Sequence, residues 1–337
     1  MKNIKNYWVG KYGPMMIAEI GANHEGNFNQ AKKLVRLAIK ADVDVVKFQL
    51  YTGGGIVNKK ISKKRFNHFQ KFELKKSEHL YLAKMVKDHG LKYSASVWDI
   101  KMIDWIDKYM DFYKIGSGDL TAYPVLNEIS KKNKPILLST GLSNLKEIIN
   151  TINFLKTRNK YYRKKNNIAL LQCTAAYPCK DSELNLSTIN YLKKKTGLRV
   201  GFSDHSEGDL AILSSYLLGS EIMEFHFTET RIGKKFRDHQ VSLTTAEVLK
   251  LNNQLMRVNL MKGNKIKNIT YTEKKKSHHK SFRRAIYPAR DINKGEIIKS
   301  QDLICLRPNV GLDARFFDKI LNKKSKKKLV KLQKINF

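Results

Sequence analysis

Ser77-Glu78-His79-Leu80-Tyr81-Leu82-Ala83-Lys84-Met85-Val86-Lys87-Asp88-His89, then Gly90-Leu91, then Lys92-Tyr93-Ser94-Ala95-Ser96-Val97-Trp98 is the passage on which the fold turns. Leu80, Leu82, Ala83 and Val86 recur on one helical face among charged residues. A glycine stops the pattern, and a short run suited to a strand follows, so the passage predicts a helix handing on to a strand. Working outward, the same alternation predicts strands at Ile17–Gly21, Val43–Gln49, Lys92–Trp98, Phe112–Ser117, Pro135–Thr140, Ile168–Thr174, Arg199–Asp204 and Glu221–Thr228. Helical segments such as Leu145–Leu155 lie between them. A βα series that closes at eight units is the signature of a TIM (β/α)8 barrel. An open doubly wound sheet would alternate in the same way, but no GxGxxG turn follows the first strand. The gap from Leu50 to Lys76 is too long for a plain crossover and is expected to be a surface excursion rich in Lys and Phe.

The last barrel helix is expected over about Thr245–Met261, so residues 1–261 form the barrel. Residues 262–280 are polar and Lys-rich, and read as a linker. Residues 281–337 change character. Arg284–Arg290, Asp291–Gly295, Glu296–Ile298 and Ser300-Gln301-Asp302-Leu303 suggest a small strand-and-turn module with a capped helical turn. At that size it is expected to bury little core alone, and to pack on its own barrel or on that of a partner subunit.

Within 337 residues, 42% hydrophobic content is enough for a sizeable core. Met1–Pro14 has no continuous apolar stretch, which argues against a signal peptide or a membrane span. Three cysteines, Cys173, Cys179 and Cys305, show no metal-type spacing and fit a reduced, cytoplasmic protein. The 65 Lys+Arg against 30 Asp+Glu leave a formal charge of +35, which raises the question of an anionic partner. The basic residues fall in scattered clusters such as Lys63-Lys64-Arg65, Lys193-Lys194-Lys195 and Lys326-Lys327-Lys328, without interleaved aromatics. That pattern is a solvated surface rather than a specific nucleic-acid or membrane site.

In a barrel the chemistry gathers at the carboxyl ends of the strands. Glu19 with Asn23-His24-Glu25-Gly26, Lys47-Phe48-Gln49, Ser94-Ala95-Ser96, and Lys114 with Ser117 and Asp119 fall there. So do Ser139-Thr140-Gly141, Ser203-Asp204-His205 and Glu224-Phe225-His226. Two lysines and several hydroxyls converging on one mouth describe a site for a phosphate or a phosphate with a carboxylate. Lys47, inside Val45-Val46-Lys47-Phe48, requires an anion because a barrel interior does not hold an unpaired charge. His205 and His226 end neighbouring strands, where two imidazoles can share one divalent cation and leave positions for water and substrate. The remaining histidines, His24 apart, read as surface.

Ile17-Ala18-Glu19-Ile20-Gly21-Ala22-Asn23-His24, Val46-Lys47-Phe48-Gln49 and Tyr113-Lys114-Ile115-Gly116-Ser117-Gly118-Asp119 occur in order along the chain. Leu138-Ser139-Thr140-Gly141, Cys173-Thr174-Ala175-Ala176-Tyr177-Pro178, Gly201-Phe202-Ser203-Asp204-His205 and His226-Phe227-Thr228 follow. Together they resemble the N-acetylneuraminate (sialic acid) synthase family over nearly the whole chain. The tail, Ala289-Arg290-Asp291-Ile292-Asn293-Lys294-Gly295-Glu296 with Leu306-Arg307-Pro308, is similar to that family's antifreeze-like SAF domain.

The resemblance implies a TIM barrel followed by a SAF domain, working as a domain-swapped homodimer. It implies condensation of phosphoenolpyruvate with an N-acetylated amino sugar to give a nonulosonic acid and phosphate. A divalent metal, Mn2+ or Mg2+, would sit on His205 and His226. By position, Lys47, Ser96, Lys114, Ser117, Ser139 and Ser203 match phosphoenolpyruvate-binding residues. Glu19, Gln49, Asp119, Tyr177 and Asp238 match groups near the sugar or the water, with Glu19, Lys47 and Asp238 as the catalytic set, and Arg307 matches an arginine that reaches the sugar from the partner. The chain departs from the family pattern at Ala95-Ser96-Val97-Trp98-Asp99, where Ser-Thr-Pro-Phe-Asp is common. It departs again at Ala175 in place of Asn, Phe225 in place of Lys, and Phe236-Arg237-Asp238-His239 in place of Gly-Pro-Asp-His. Two other readings remain: a synthase of deoxyoctulosonate- or deoxyheptulosonate-phosphate type, and a nonenzymatic basic binding protein on a decayed barrel. Retention of Glu19, both lysines and both histidines weighs against decay.

Overall fold

The computed structural model describes residues 7–336; the first six residues of the Met1–Pro14 reading lie outside that range. The chain divides into two compact units, Met1–Lys262 and Gly263–Phe337.

In the first unit eight parallel strands close on themselves. They are β1 (Gly13–Gly21), β2 (Val45–Leu50), β3 (Lys92–Val97), β4 (Phe112–Ile115), β5 (Ile136–Ser139), β6 (Ile168–Cys173), β7 (Arg199–Asp204) and β8 (Ile222–His226). Each pairs with the next, and β8 returns to β1 with Glu19 opposite His226. The expected barrel is therefore the observed one. Its first strand starts earlier than the apolar run suggested, because Pro14, Met15 and Met16 are already buried.

Alternation along each strand builds two cores. Outward residues such as Met16, Ala18, Val46, Phe48, Tyr93, Ala95 and Phe225 meet the surrounding helices in one continuous apolar layer. Inward residues Met15, Ile17, Val45, Phe112, Leu137, Ala169, Leu171 and Ile222 fill the lower interior together with Trp8. The Trp8 ring packs edge-on to Phe112 at 5.3 Å, and its indole N–H donates to the Asn166 carbonyl at 2.8 Å. The end of the barrel nearest the strand starts is thus closed by hydrocarbon.

Local signals set the helices. Asn27 accepts from the Gln30 N–H at the start of Phe28–Lys40, and Asn144 with Glu147 forms a capping box for Leu145–Arg158. The long gap after β2 carries helices Gly53–Ile56 and Lys63–Lys71. Its aromatic residues are less of a surface feature than expected: Phe72 is buried with Tyr51 and Ala22, and Phe69, Trp98 and Phe236 pack against them.

The second unit pairs β9 (Ala285–Pro288) antiparallel to β10 (Leu303–Leu306). The expectation that it could bury little core alone is corrected here. Ile286, Ile292, Ile298, Leu312, Ile320, Leu329 and Ile335 form a cluster of their own. Asp302 is buried, accepts from the Lys299 N–H and from Arg290 Nε at 2.8 Å each, and ties the turns together. The polar stretch 262–280 contains two short helices, Tyr271–Lys275 and, running past it, His278–Ser281.

Candidate active site

Above the apolar floor the inward positions turn polar, and β1, β2, β4 and β8 each contribute one charge. Glu19, Lys47, Lys114 and Glu224 are all at most 5% exposed. Lys47 Nζ lies 2.6 Å from Glu19 Oε2 and 3.8 Å from Glu224 Oε2. Lys114 Nζ lies 3.3 Å from Glu224 Oε1. Serines from three further strands finish the cluster. Lys47 donates to Ser96 Oγ at 3.3 Å, Lys114 donates to Ser139 Oγ at 2.7 Å, and Ser203 Oγ donates to Glu224 Oε1 at 3.0 Å. Two lysines face two glutamates, so the cluster is neutral before any ligand arrives.

Electrostatics follow from this packing. Burial acts to raise the Glu224 carboxyl, but Lys114 and Lys47 outweigh it and hold the group well below the usual carboxylate range. Burial lowers the Lys114 ammonium, and Glu224 opposes the shift. The anion that Lys47 requires is thus supplied within the barrel by Glu19 and Glu224. Glu224 was not singled out from the sequence, where the histidine two residues on drew the reading. The available signal was its parity: Glu224 and His226 share the inward face of one strand.

Nearer the mouth, Gln49 donates to Glu19 Oε1 at 2.8 Å. Gly21 closes over that bond in the left-handed region (φ +54), where a Cβ would lie 3.1 Å from both Gln49 Nε2 and Glu19 Oε1. His205 and His226 follow, with ring centroids 5.4 Å apart. His205 Nδ1–H donates to the Thr174 carbonyl at 2.7 Å, which leaves Nε2 with the lone pair. Burial pushes His205 down to about 3, so its ring is neutral. His226 Nδ1 is buried without a hydrogen-bond partner, 3.9 Å from Asp238 Oδ2. The Tyr177 ring lies 4.0 Å from the His205 ring and 5.7 Å from that of His226. Arg237 covers the Tyr177 ring at 4.0 Å and grips Asp238 Oδ1 with Nε at 2.9 Å and Nη2 at 2.8 Å.

The loop that carries Arg237 and Asp238 is fastened at both ends. Arg231 forms paired bonds of 2.8 and 2.5 Å with Glu247. His239 lies 2.7 Å from Thr228 Oγ1 and 3.2 Å from Glu25 Oε1. His239 and His79 are both buried, which corrects their reading as surface residues. His239 does so through its two polar partners, and His79 by lying on the inner face of the helix Lys76–Asp88.

Glu19, Lys47, Ser96, Lys114, Ser139, Ser203 and Gln49 are therefore linked in one bonded cluster, and His205, His226, Tyr177 and Asp238 in a second group above it. Ser117 stands apart from the lysines, with its hydroxyl donating to Cys173 Sγ at 3.6 Å. Asp119 makes no side-chain hydrogen bond or ion pair among the described residues. Arg307 belongs to the second unit, where its guanidinium lies 5.9 Å from the Phe282 ring. Of the departures from the expected pattern, Phe225 points outward into the helix-side core and Ala175 is exposed, so neither enters the charged cluster.

The donor set of the two histidines fits a divalent cation: one ring is fixed in its tautomer with Nε2 left over, and the other has a buried nitrogen without a partner. Among the described residues no three His, Cys, Asp or Glu side chains form a metal-ligating group, so the protein would offer two ligands. No helix among them is long and apolar enough to cross a membrane.

Comparisons with known proteins agree with this architecture. An N,N'-diacetyllegionaminic acid synthase of Campylobacter jejuni is 33% identical over 322 residues, covering 92% of this chain and 95% of its own. A crystal structure of the N-acetylneuraminic acid synthetase from Leptospira borgpetersenii, in complex with citrate, matches with a TM-score of 0.70 at 26% identity, covering 79% of this chain and 90% of the other. A truncated 3-deoxy-D-arabino-heptulosonate 7-phosphate synthase from Thermotoga maritima matches with a TM-score of 0.58 at 16% identity, over 75% of this chain and 89% of its own, which is a likeness of fold alone. The SAF domain model matches residues 283–335, and the NeuB family model matches residues 34–267. With two lysines and two glutamates paired beneath two histidines in a closed barrel, and a SAF domain following it in sequence, the chain belongs to the NeuB family.

Proposed function

We propose that this protein is a synthase that condenses phosphoenolpyruvate with the open-chain aldehyde of an N-acetylated amino sugar, giving a nonulosonic acid and phosphate. The observation that carries the reading is the buried array of Lys47, Lys114, Ser96, Ser139 and Ser203 on the inner wall of a NeuB-family barrel. Lysines supply charge and serine hydroxyls directed donors for the phosphate and carboxylate of phosphoenolpyruvate. Tyr177 and Asp238, on loops at the mouth, face the sugar.

C3 of phosphoenolpyruvate forms the new bond to the aldehyde carbon, whose oxygen takes up a proton. C2 is left electron-poor, and water adds there. Glu19 takes one proton of that water, which replaces the one taken up by the aldehyde oxygen. As the C–O bond breaks, the phosphate departs with the former enol oxygen and the second water proton, left on the C2 hydroxyl, passes to it, so that C2 becomes the ketone with its oxygen from water. A divalent cation, manganese or magnesium, held by His205 and His226 would act as a Lewis acid on the aldehyde oxygen. Asp238, with one oxygen gripped by Arg237, keeps the other turned toward His226.

The assembly is proposed as a domain-swapped homodimer in which Arg307 serves the partner's barrel. Support comes from the resemblance of the tail, and no longer from its size, since the tail has a core of its own. Three free cysteines fit a reduced, cytoplasmic setting.

The test is phosphate release from phosphoenolpyruvate, divalent metal and a panel of amino sugars, with 18O in the bridging position. Sugar-dependent release that keeps the label in phosphate is expected. Release that is independent of sugar, or label left in the organic product, refutes the reaction.

A further inference from the structure

At the barrel end opposite the mouth, the amino ends of β6, β7 and β8 border a cleft of about 420 Å3. Lys165 and Asn166 lie just before β6, and Lys193 lies on the helix Thr188–Thr196. Arg199 opens β7, and Glu221 stands just before β8. Glu221 is the one carboxylate lining the cleft, and both its oxygens are engaged. Oε1 accepts from Lys193 Nζ at 2.8 Å, and Oε2 accepts from Arg199 Nη1. These three side chains are only 27–31% exposed, so the pairing fixes where the two cations stand. Asn166 Oδ1 in turn accepts from Arg199 Nε at 3.5 Å. What remains in the cleft is a set of donors. Lys165 makes no ion pair or side-chain hydrogen bond among the described residues, and Arg199 Nη2 and Asn166 Nδ2 donate to none of them. Lys165, Lys193 and Arg199 face Glu221 alone, an excess of two positive charges.

We propose that this cleft binds a phosphate dianion, free or as a monoester, at a site separate from the lysine cluster inside the barrel. A dianion matches the excess of two charges. Its several oxygens accept from different directions at once, as an ammonium, a guanidinium edge and a side-chain amide around one cleft require. A monocarboxylate would leave one of the two charges uncompensated. The cleft falls within the size range of small-molecule sites, and Leu198 gives it an apolar side for the carbon part of an ester. Trp8 separates it from the chamber: its ring fills the lower interior, and its indole N–H is held by the Asn166 carbonyl. A ligand therefore enters the cleft from the outer surface and does not compete for the lysines within. The site stands whether or not the reaction proposed above is the right one.

Two charge reversals at exposed lysines test the site without disturbing the fold. Lys165→Glu reverses a charge that no neighbour uses, and Lys164→Glu makes the same change one residue outside the cleft. Equilibrium dialysis at fixed ionic strength, with labelled inorganic phosphate and with labelled glucose 6-phosphate, counts equivalents and reads their affinity. Wild type and Lys164→Glu are expected to bind alike. Lys165→Glu is expected to lose about tenfold in affinity for one equivalent, with any equivalent held at the lysine cluster unchanged. Tighter binding of glucose 6-phosphate assigns the site to esters, and equal or tighter binding of inorganic phosphate assigns it to the free ion. No binding to wild type, or the same binding in all three proteins, refutes the site. Equal weakening by Lys164→Glu and Lys165→Glu also refutes it, because a basic surface would then act only through its general field. Displacement by an equal concentration of acetate refutes the choice of a dianion.

Discussion

Glu224→Gln sets two consequences of the neutral cluster against each other. The change keeps the shape and the hydrogen bond with Ser203, and deletes one of the two negative charges. Lys114 Nζ, 3.3 Å from Glu224 Oε1, loses an attraction of about 5 kcal/mol at an effective dielectric near 20. Lys47, at 3.8 Å, loses somewhat less and keeps Glu19. Because the amide no longer has to be stripped of water as a carboxylate, the net loss of stability is about 3 kcal/mol. In a unit of this size that lowers Tm by roughly 6 °C. The cluster now carries one uncompensated positive charge, so phosphoenolpyruvate is expected to bind about tenfold more tightly. Calorimetric titration with phosphoenolpyruvate and thermal melts with and without it read both effects. At saturating ligand the Tm deficit should close by about half, since wild type is stabilised as well and only the tenfold difference in Kd, worth about 1.4 kcal/mol, narrows the gap. A variant that melts with wild type, or that binds phosphoenolpyruvate more weakly, would falsify the charge balance described for this cluster.

Chelation is expected to abolish turnover and manganese to restore it; full activity of a His205→Ala/His226→Ala protein after exhaustive chelation would remove the metal from the scheme. Lys47→Met and Lys114→Met should each raise KM for phosphoenolpyruvate far more than KM for the sugar, and an unchanged phosphoenolpyruvate dependence in both would contradict their assignment. Arg307→Ala and His226→Ala chains, each nearly inactive alone, should regain about a quarter of wild-type activity when mixed, because half the dimers are mixed and each mixed dimer has one intact site; no recovery under proven subunit exchange would return the tail to its own barrel. Glu247 is held down to about 2, first by its bond with Arg231 and then by Thr244, despite partial burial. Its contribution is present above the unfolded carboxylate value and is lost as pH falls through about 2, so the stability difference between wild type and Glu247→Gln, about 1 kcal/mol after solvent screening, and with it the gap in Tm, should shrink as pH is lowered from 5 to 3. A gap that widens in acid would show that Glu247 acts otherwise.

Barrel and site were legible to different depths, for physical reasons. A buried parallel strand needs an apolar run, and a polar residue within such a run stands out; that is why Lys47 and Lys114 could be placed without coordinates. Glu224 did not stand out, because its meaning depends on register: it becomes a partner of the lysines only once β8 is set against β7 with Ser203 opposite it. The core of the second unit was illegible for another reason. Ile286 lies in a four-residue strand and Ile320 ends a four-residue helix, while Ile292, Ile298, Leu312, Leu329 and Ile335 are spread singly outside them, with no period to reveal a shared interior. His79 and His239 show the converse error, since polarity alone suggested exposure while one helix face and two hydrogen-bond partners put them inside.

The hydrocarbon floor under Trp8 makes the interior a chamber with a single door. Whatever binds at the lysines must pass the histidines and Tyr177 on its way in, and whatever sits at the mouth blocks the way out. Traffic through such a chamber is a stack rather than a crossroads: the deep ligand is first to enter and last to leave. Under the proposed assignment of the two substrates, phosphoenolpyruvate loads before the sugar, and the phosphate formed at the bottom waits for the nine-carbon acid to clear the door. A sugar analogue that occupied the mouth would trap the deep substrate instead of displacing it, which places control of the enzyme's pace with whatever opens the rim.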